Sequence, residues 1–408
     1  MKRAFGTRTI AAAVMKRAFG TRTIAAAVTI VTGAAAAFAI FGVFGAHGAV
    51  PKTGPLSVRA GLENPPGAVV RGDGLFTGRG VRRQLGAAVS GAMIGPLSPV
   101  AVRSSDGRSV AYNTWRELKT VDNDESFSQQ AIADGTALGT PSLRVHDDTG
   151  KDFLVARGAY SAAWRHDGAI AFVKGSDPDF RAGRSYTGQV VVRSDIHGRD
   201  AAWTSDPAHY VVYAWAGDRL LFYRVGLGEK LELLVADGPG RIRPLADGST
   251  IAISPDATRV AVLSQDGTSV RVLDITTGSE LAWLDVTTAT PPVAWLAYSG
   301  SWVGDHIVAP ASPGLAVLHV GSSALELEQV LSLDHSQFPV GVQGPRFVDA
   351  AGNEIAASAD IPPAKSSGGV SFLLLCDRIA RTCARGEPAP AREWLRLVDD
   401  TSLAKGGR

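Results

Sequence analysis

The sequence predicts an all-β protein, and three observations carry that reading. A two-hairpin unit recurs about every 50 residues downstream of Pro96. The runs between its turns are rich in Val, Leu, Ile and Phe, and no stretch in this span carries the 3.6-residue period of a long amphipathic helix. The 408 residues are 45% apolar and 20% charged, which suits a chain with a real core and excludes a largely disordered one. Lys and Arg number 41 against 39 for Asp and Glu, so the balance of +2 gives no global pull toward nucleic acid. Two cysteines exclude a disulfide-framework miniprotein and a four-cysteine zinc site, and 46 glycines with 22 prolines suit many turns.

The chain opens with MKRAFGTRTIAAAV, residues 1–14, which recurs unchanged as 15–28. An undiverged repeat of this size points to a recent tandem duplication, or to Met15 as the true start. The basic segment 1–23 holds Lys2, Arg3, Arg8, Lys16, Arg17 and Arg22 without an acid; removing these six from 41 leaves 35 basic residues against 39 acidic ones. From Thr23 to Pro51 there is no Asp, Glu, Lys or Arg. The apolar stretch 24–46, 23 residues, is long enough as a helix to cross the roughly 30 Å of a bilayer's hydrocarbon. The preceding cations would stay in the cytoplasm and send the remaining chain outward. A cleaved signal peptide has an apolar stretch of only about 7–15 residues, although Ala46-His47-Gly48 before Ala49 could serve as a cleavage site. The expectation is a transmembrane helix with the C-terminal part outside the cell membrane; the alternative is secretion after cleavage. No cysteine lies near the end of the apolar run for lipidation, and no Arg-Arg pair precedes it.

Residues 47–97 read as a linker with candidate ring-closing strands, and 98–387 as the repeat domain. Each repeat begins with two apolar runs around an Asp- or Gly-containing turn: 98–112, 158–175, 209–225 and 249–266, with weaker copies at 295–310 and 346–361. A second hairpin follows each, at 143–158, 190–205, 221–238, 270–286, 315–333 and 371–386. β-Branched residues favour the pleated strand, while Gly and Asp tolerate the turn's positive φ. Two hairpins per unit make four strands. Four-stranded sheets repeated radially make a β-propeller, which protects its strand edges by closing a ring. Six units fit between Pro96 and Glu387. A seventh forms if Val69–Gly86 joins Trp394–Val398, leaving 388–408 otherwise a tail. A β-sandwich or two smaller barrels are the alternatives, and neither requires so regular a period.

At 251–274 the sequence IAISPDATRVAVLSQDGTSVRVLD resembles the blades of TolB-like and WD-repeat-like propellers of the secreted or membrane-anchored bacterial kind. Ser254-Pro255-Asp256 supplies the turn, with Ala257 where the family has glycine, and Asp274 through Gly278 matches the outer hairpin. The resemblance is good in this unit and partial in the others. It implies a propeller, and by analogy a ligand-binding or scaffolding role; fold by itself does not imply function. The turn acids Asp106, Asp167, Asp256 and Asp274 read as structural, accepting backbone N–H groups that the strands cannot satisfy.

No catalytic, cofactor or metal motif is found. Propeller-bearing hydrolases of the prolyl oligopeptidase kind need a G-x-S-x-G elbow and about 200 further residues; the elbow is missing and 21 residues follow Glu387. Ser104–Gly107 and Ser264–Gly267 match the S-x-D-x-G-x-T-W box of sialidases in part, but their glycine comes one place early and the aromatic is lacking, so they read as turns. The eight histidines include no H-x-H or H-x-x-x-H pair, although a folded ring can bring distant ones together. The acidic runs at 122–125 and 177–179 lack the pattern of a calcium loop. Tryptophans 164, 203, 215 and 283 read as packing between units. Cys376 and Cys383 flank DRIART in one hairpin, within reach of a disulfide that an oxidising compartment would favour. The function expected is a non-enzymatic module binding a protein, a peptide or a cell-envelope polymer through loops or channel, with the membrane as its other partner and no nucleic acid. The alternative is a secreted hydrolase or lyase with its site on the top face of the ring.

Overall fold

The computed structural model divides the chain into two units, residues 1–49 and 50–408. It describes residues 54–60, 68–71, 74–76, 82–84, 101–104, 108–115 and 141–147, most of 149–361, and 370–390 and 396–398. The segment 24–46, Asp106 and the acidic runs at 122–125 and 177–179 lie outside the described residues. Among the described residues, no helix is long and apolar enough to cross a membrane.

The described elements are strands, and apart from β1 (Gly54–Ala60) they form antiparallel four-stranded meanders, seven among the described residues. The first set holds β2 (Ala68–Arg71), β3 (Gly74–Phe76) and β4 (Arg82–Gln84). The second holds β5 (Ala101–Arg103), β6 (Ser109–Trp115), β7 (Pro141–Asp147) and β8 (Asp152–Arg157). The third is β9 (Ala159–Trp164), β10 (Ile170–Gly175), β11 (Gly188–Arg193) and β12 (Ala201–Ala202). The fourth is β13 (Tyr210–Ala216), β14 (Arg219–Val225), β15 (Leu231–Gly238) and β16 (Arg241–Asp247). The fifth is β17 (Ser249–Ile253), β18 (Arg259–Leu263), β19 (Ser269–Asp274) and β20 (Glu280–Asp285). The sixth is β21 (Ser301–Val303), β22 (His306–Pro310), β23 (Gly314–Val320) and β24 (Leu325–Leu333). The seventh is β25 (Gln343–Ala351), β26 (Glu354–Ile361), β27 (Val370–Asp377) and β28 (Thr382–Pro390).

The second to seventh sets are the six repeat units of the sequence. The first set is completed by β29 (Arg396–Val398), which pairs antiparallel with β2 in the register Ala68↔Val398, Val69↔Leu397 and Val70↔Arg396. In the fourth set the expected second hairpin, 221–238, is instead the pairing of the second strand with the third. Its fourth strand is RIRPLAD, whose arginines and Pro244 hide the strand pattern. A proline is tolerated there because β16 is an edge.

The apolar runs of the third to sixth sets are continuous rather than alternating because each of these sheets is covered on both faces. In β18, Val260 and Val262 pack with Tyr223 and Leu233 of the fourth set, whereas Ala261 and Leu263 pack with Ile307 and Leu318 of the sixth. The same two-sided packing joins the second set to the third, the third to the fourth, and the sixth to the seventh. β29 lies against β25 and β26, so the stack proceeds in chain order from the second set to the seventh and on to the first.

The innermost-in-sequence strands are tied by polar contacts as well. Trp164 donates to the Val102 carbonyl of the preceding set at 3.1 Å, and Trp215 to the Ala163 carbonyl at 3.2 Å. Ser161, Tyr213 and Ile251 are each the extra residue of a bulge at the same place in β9, β13 and β17, a repeat that the hydropathy pattern does not show. The buried Ser161 hydroxyl uses this bulge to reach the Val212 carbonyl at 2.9 Å. β1 runs parallel to β24 at Gly54–Leu56 and to β28 at Ser57–Ala60, bridging the outer strands of the sixth and seventh sets from what the sequence presents as linker.

Candidate functional site

The turn acids are engaged in holding their turns. Asp256 accepts from the Ser254 hydroxyl at 2.5 Å and the Thr258 N–H at 3.2 Å, and the Ser254 hydroxyl also receives the Arg259 N–H at 2.9 Å. The Ser264–Ser269 turn repeats this arrangement, with Asp266 bound by the Ser264 and Thr268 hydroxyls at 2.6 and 2.8 Å. These hydrogen bonds, led by the one from Ser264, bring the Asp266 carboxyl down to about 2. Asp167 is brought to about 2 chiefly by the hydrogen-bonded Arg165 guanidinium, whose Nε lies 2.8 Å away. Asp274 accepts the Thr277 N–H at 2.7 Å and is lowered by it. Each is a carboxylate committed to local backbone and side-chain donors.

Cys376 and Cys383 face each other across β27 and β28 with Cα atoms 4.0 Å apart, and their sulfurs are joined. Trp203 stacks edge-on against Trp215 of the next set with ring centres 5.4 Å apart, as packing between units requires. Trp283 differs from the expectation. It faces outward from β20 and is 58% exposed, beside Leu281 at 40%. In β20 the intervening Ala282 takes the inward place, and one residue of register decides which side chains face the core.

A second grouping of side chains has no counterpart in any linear motif. Val303↔His306 closes β21 and β22 through the two-residue turn Gly304-Asp305, whose glycine sits at φ 59°. His306 opens β22 and pairs directly with His319 near the end of β23, their ring centres 5.4 Å apart. They share the sheet face on which Val308 and Val317 pack toward the seventh set. The His306 ring lies between two carboxylates: its Nδ1 is 2.6 Å from Asp305 Oδ1 and its Nε2 is 2.6 Å from Glu328 Oε2. His319 Nδ1 is 3.6 Å from the other oxygen of Asp305. Glu328 reaches in because β24 carries a bulge there, opposite Val317 and Leu318. Ligand atoms of Asp305, His306 and His319 all lie within 4.8 Å of one another, a spread compatible with a shared cation. Sequence reading missed this group because its histidines are 13 positions apart. The hairpin that pairs Pro310 with Leu315, once recognised, sets 306 opposite 319.

No family model and no curated protein matches the chain. Solved structures similar to it include the acylaminoacyl peptidase of Pyrococcus horikoshii, at 13% identity and a TM-score of 0.46 over 82% of this chain and 49% of that one. Others are the β-propeller domain of the Trilobed protease from Pyrococcus furiosus (8%, TM-score 0.43, 74% and 83%) and a putative TolB from Agrobacterium tumefaciens (11%, TM-score 0.37, 60% and 84%). The chain spans about half the length of the peptidase. At these scores the likenesses carry no argument, and the fold rests on the strand pairing itself.

Proposed function

We propose that this protein is a seven-bladed β-propeller, held outside the cell membrane by its apolar 24–46 segment, that acts as a non-enzymatic module binding a protein or peptide partner. The ring reading rests on the chain-order stacking of the sets and on the β2–β29 pairing of the two ends. The joined Cys376–Cys383 pair suits the oxidising side of a membrane. The observation that carries the binding role is the outward Leu281 and Trp283 on β20, an edge strand of its sheet. An exposed tryptophan beside an apolar neighbour is the residue type that dominates protein interfaces, and an unpaired edge offers backbone groups to a partner strand.

The test is cross-linking of the full chain in its native membranes, compared with a Leu281→Ser/Trp283→Ser variant of equal thermal stability. Proteins cross-linked to the wild-type chain and lost with the variant support the reading, whereas an unchanged set of cross-linked proteins contradicts it. The rival reading, a hydrolase or lyase on the ring's face, draws on the Asp305–His306–His319 cluster. It predicts substrate turnover that depends on those residues and is indifferent to Trp283.

A further inference from the structure

The geometry points to a zinc-type divalent metal site formed by Asp305, His306 and His319, with Glu328 as the residue that orients His306. It is independent of the binding role proposed above. Zinc holds imidazole nitrogen and carboxylate oxygen at about 2.0–2.2 Å, so two ligands of one tetrahedral ion stand about 3.4 Å apart. The 2.6 Å and 3.6 Å separations of the Asp305 oxygens from His306 Nδ1 and His319 Nδ1 bracket that value. The third atom pair also stays within the 4.8 Å spread. Small side-chain rotations would place all three around one ion, leaving a fourth position for solvent.

Three further features separate this group from an ordinary surface cluster. First, a metal-binding histidine commonly donates its second ring nitrogen to a carboxylate, which holds the ring and its tautomer. Glu328 occupies that place on His306 Nε2, leaving Nδ1 directed at Asp305. Second, among the described residues neither Asp305 nor Glu328 pairs with a lysine or arginine, so two carboxylates face two imidazoles. Third, the fourth set shows what the same position does when it is only structural. There the turn Gly217-Asp218 is followed by Arg219, whose Nε meets Asp237 on the adjoining strand at 2.9 Å, a pair of opposite charges that satisfies itself. The sixth set keeps the Gly-Asp turn and replaces that ion pair with His306 and His319. Two nitrogens and one oxygen with an open position is a donor set for zinc and its first-row neighbours rather than for calcium or magnesium.

The test uses the full chain, purified in detergent without a polyhistidine tag, stripped with a chelator and titrated with zinc chloride by calorimetry. One zinc per chain is expected. His306→Ala and His319→Ala should each weaken binding by at least about 100-fold, and Glu328→Gln by about 10-fold, as loss of an orienting carboxylate does. His197→Ala, an exposed histidine in the third set, should leave it unchanged. Cobalt(II) in place of zinc should give d–d absorption that His319→Gln abolishes; this conservative change at a part-exposed ring guards against loss of folding in the alanine variants. Absence of stoichiometric zinc, or affinity retained by His306→Ala and His319→Gln, overturns the proposal.

Discussion

Single residues in this chain separate into those that hold turns and those left to do something else. Ala257 illustrates the first kind. Its φ of 57° lies in the left-handed region, where the matching turn residues Gly168 and Gly267 sit at 91° and 73°. A side chain there meets the backbone, at about 1–2 kcal/mol relative to a relaxed residue. Ala257→Gly should therefore stabilise the protein by about 1 kcal/mol after the added freedom of the unfolded glycine is discounted. Thermal unfolding checks this, and a lower midpoint for the variant would contradict the turn geometry. The turn role of Asp256 was legible from S-P-D alone, because a short acid before a left-handed position has few other uses. The pairing of His306 with His319 was not legible, since it depends on register across a turn rather than on spacing along the chain.

Among elements, the hairpins that carried Val, Leu and Ile on both sides of a Gly- or Asp-rich turn were readable. Those whose edge strands carry arginine or proline were not. β16 is of the second kind. β1 belongs to no hairpin; its Leu56 and Val58 are buried, but a single pair of alternating apolar residues is too short a signal in a Gly- and Pro-containing stretch. The best-defined element is the last hairpin. Cys376 and Cys383, seven positions apart, close a small loop between β27 and β28. Loop-closure entropy for that length gives a stabilisation of about 2.5 kcal/mol. The double variant Cys376→Ser/Cys383→Ser should lose about this much, with a further cost because both positions are buried in the core shared by the sixth and seventh sets. An unfolding midpoint that is the same for this variant and the wild type would show that the bond does not contribute.

At the scale of the whole molecule, two-sided packing makes each sheet depend on its neighbours, and a stack of such sheets is stable only when its ends are covered or joined. Here the ends are joined: β29 from the C-terminal region completes the set that β2 begins. The most direct measurement is a cross-link between them. In a Val69→Cys/Leu397→Cys variant of the full chain, the two introduced residues face each other in register. Mild oxidation should form a bond between positions 69 and 397, seen as one linked peptide by mass spectrometry in addition to the native 376–383 link. Free thiols at both positions in the folded protein, under conditions where 376–383 is intact, would contradict the closed ring.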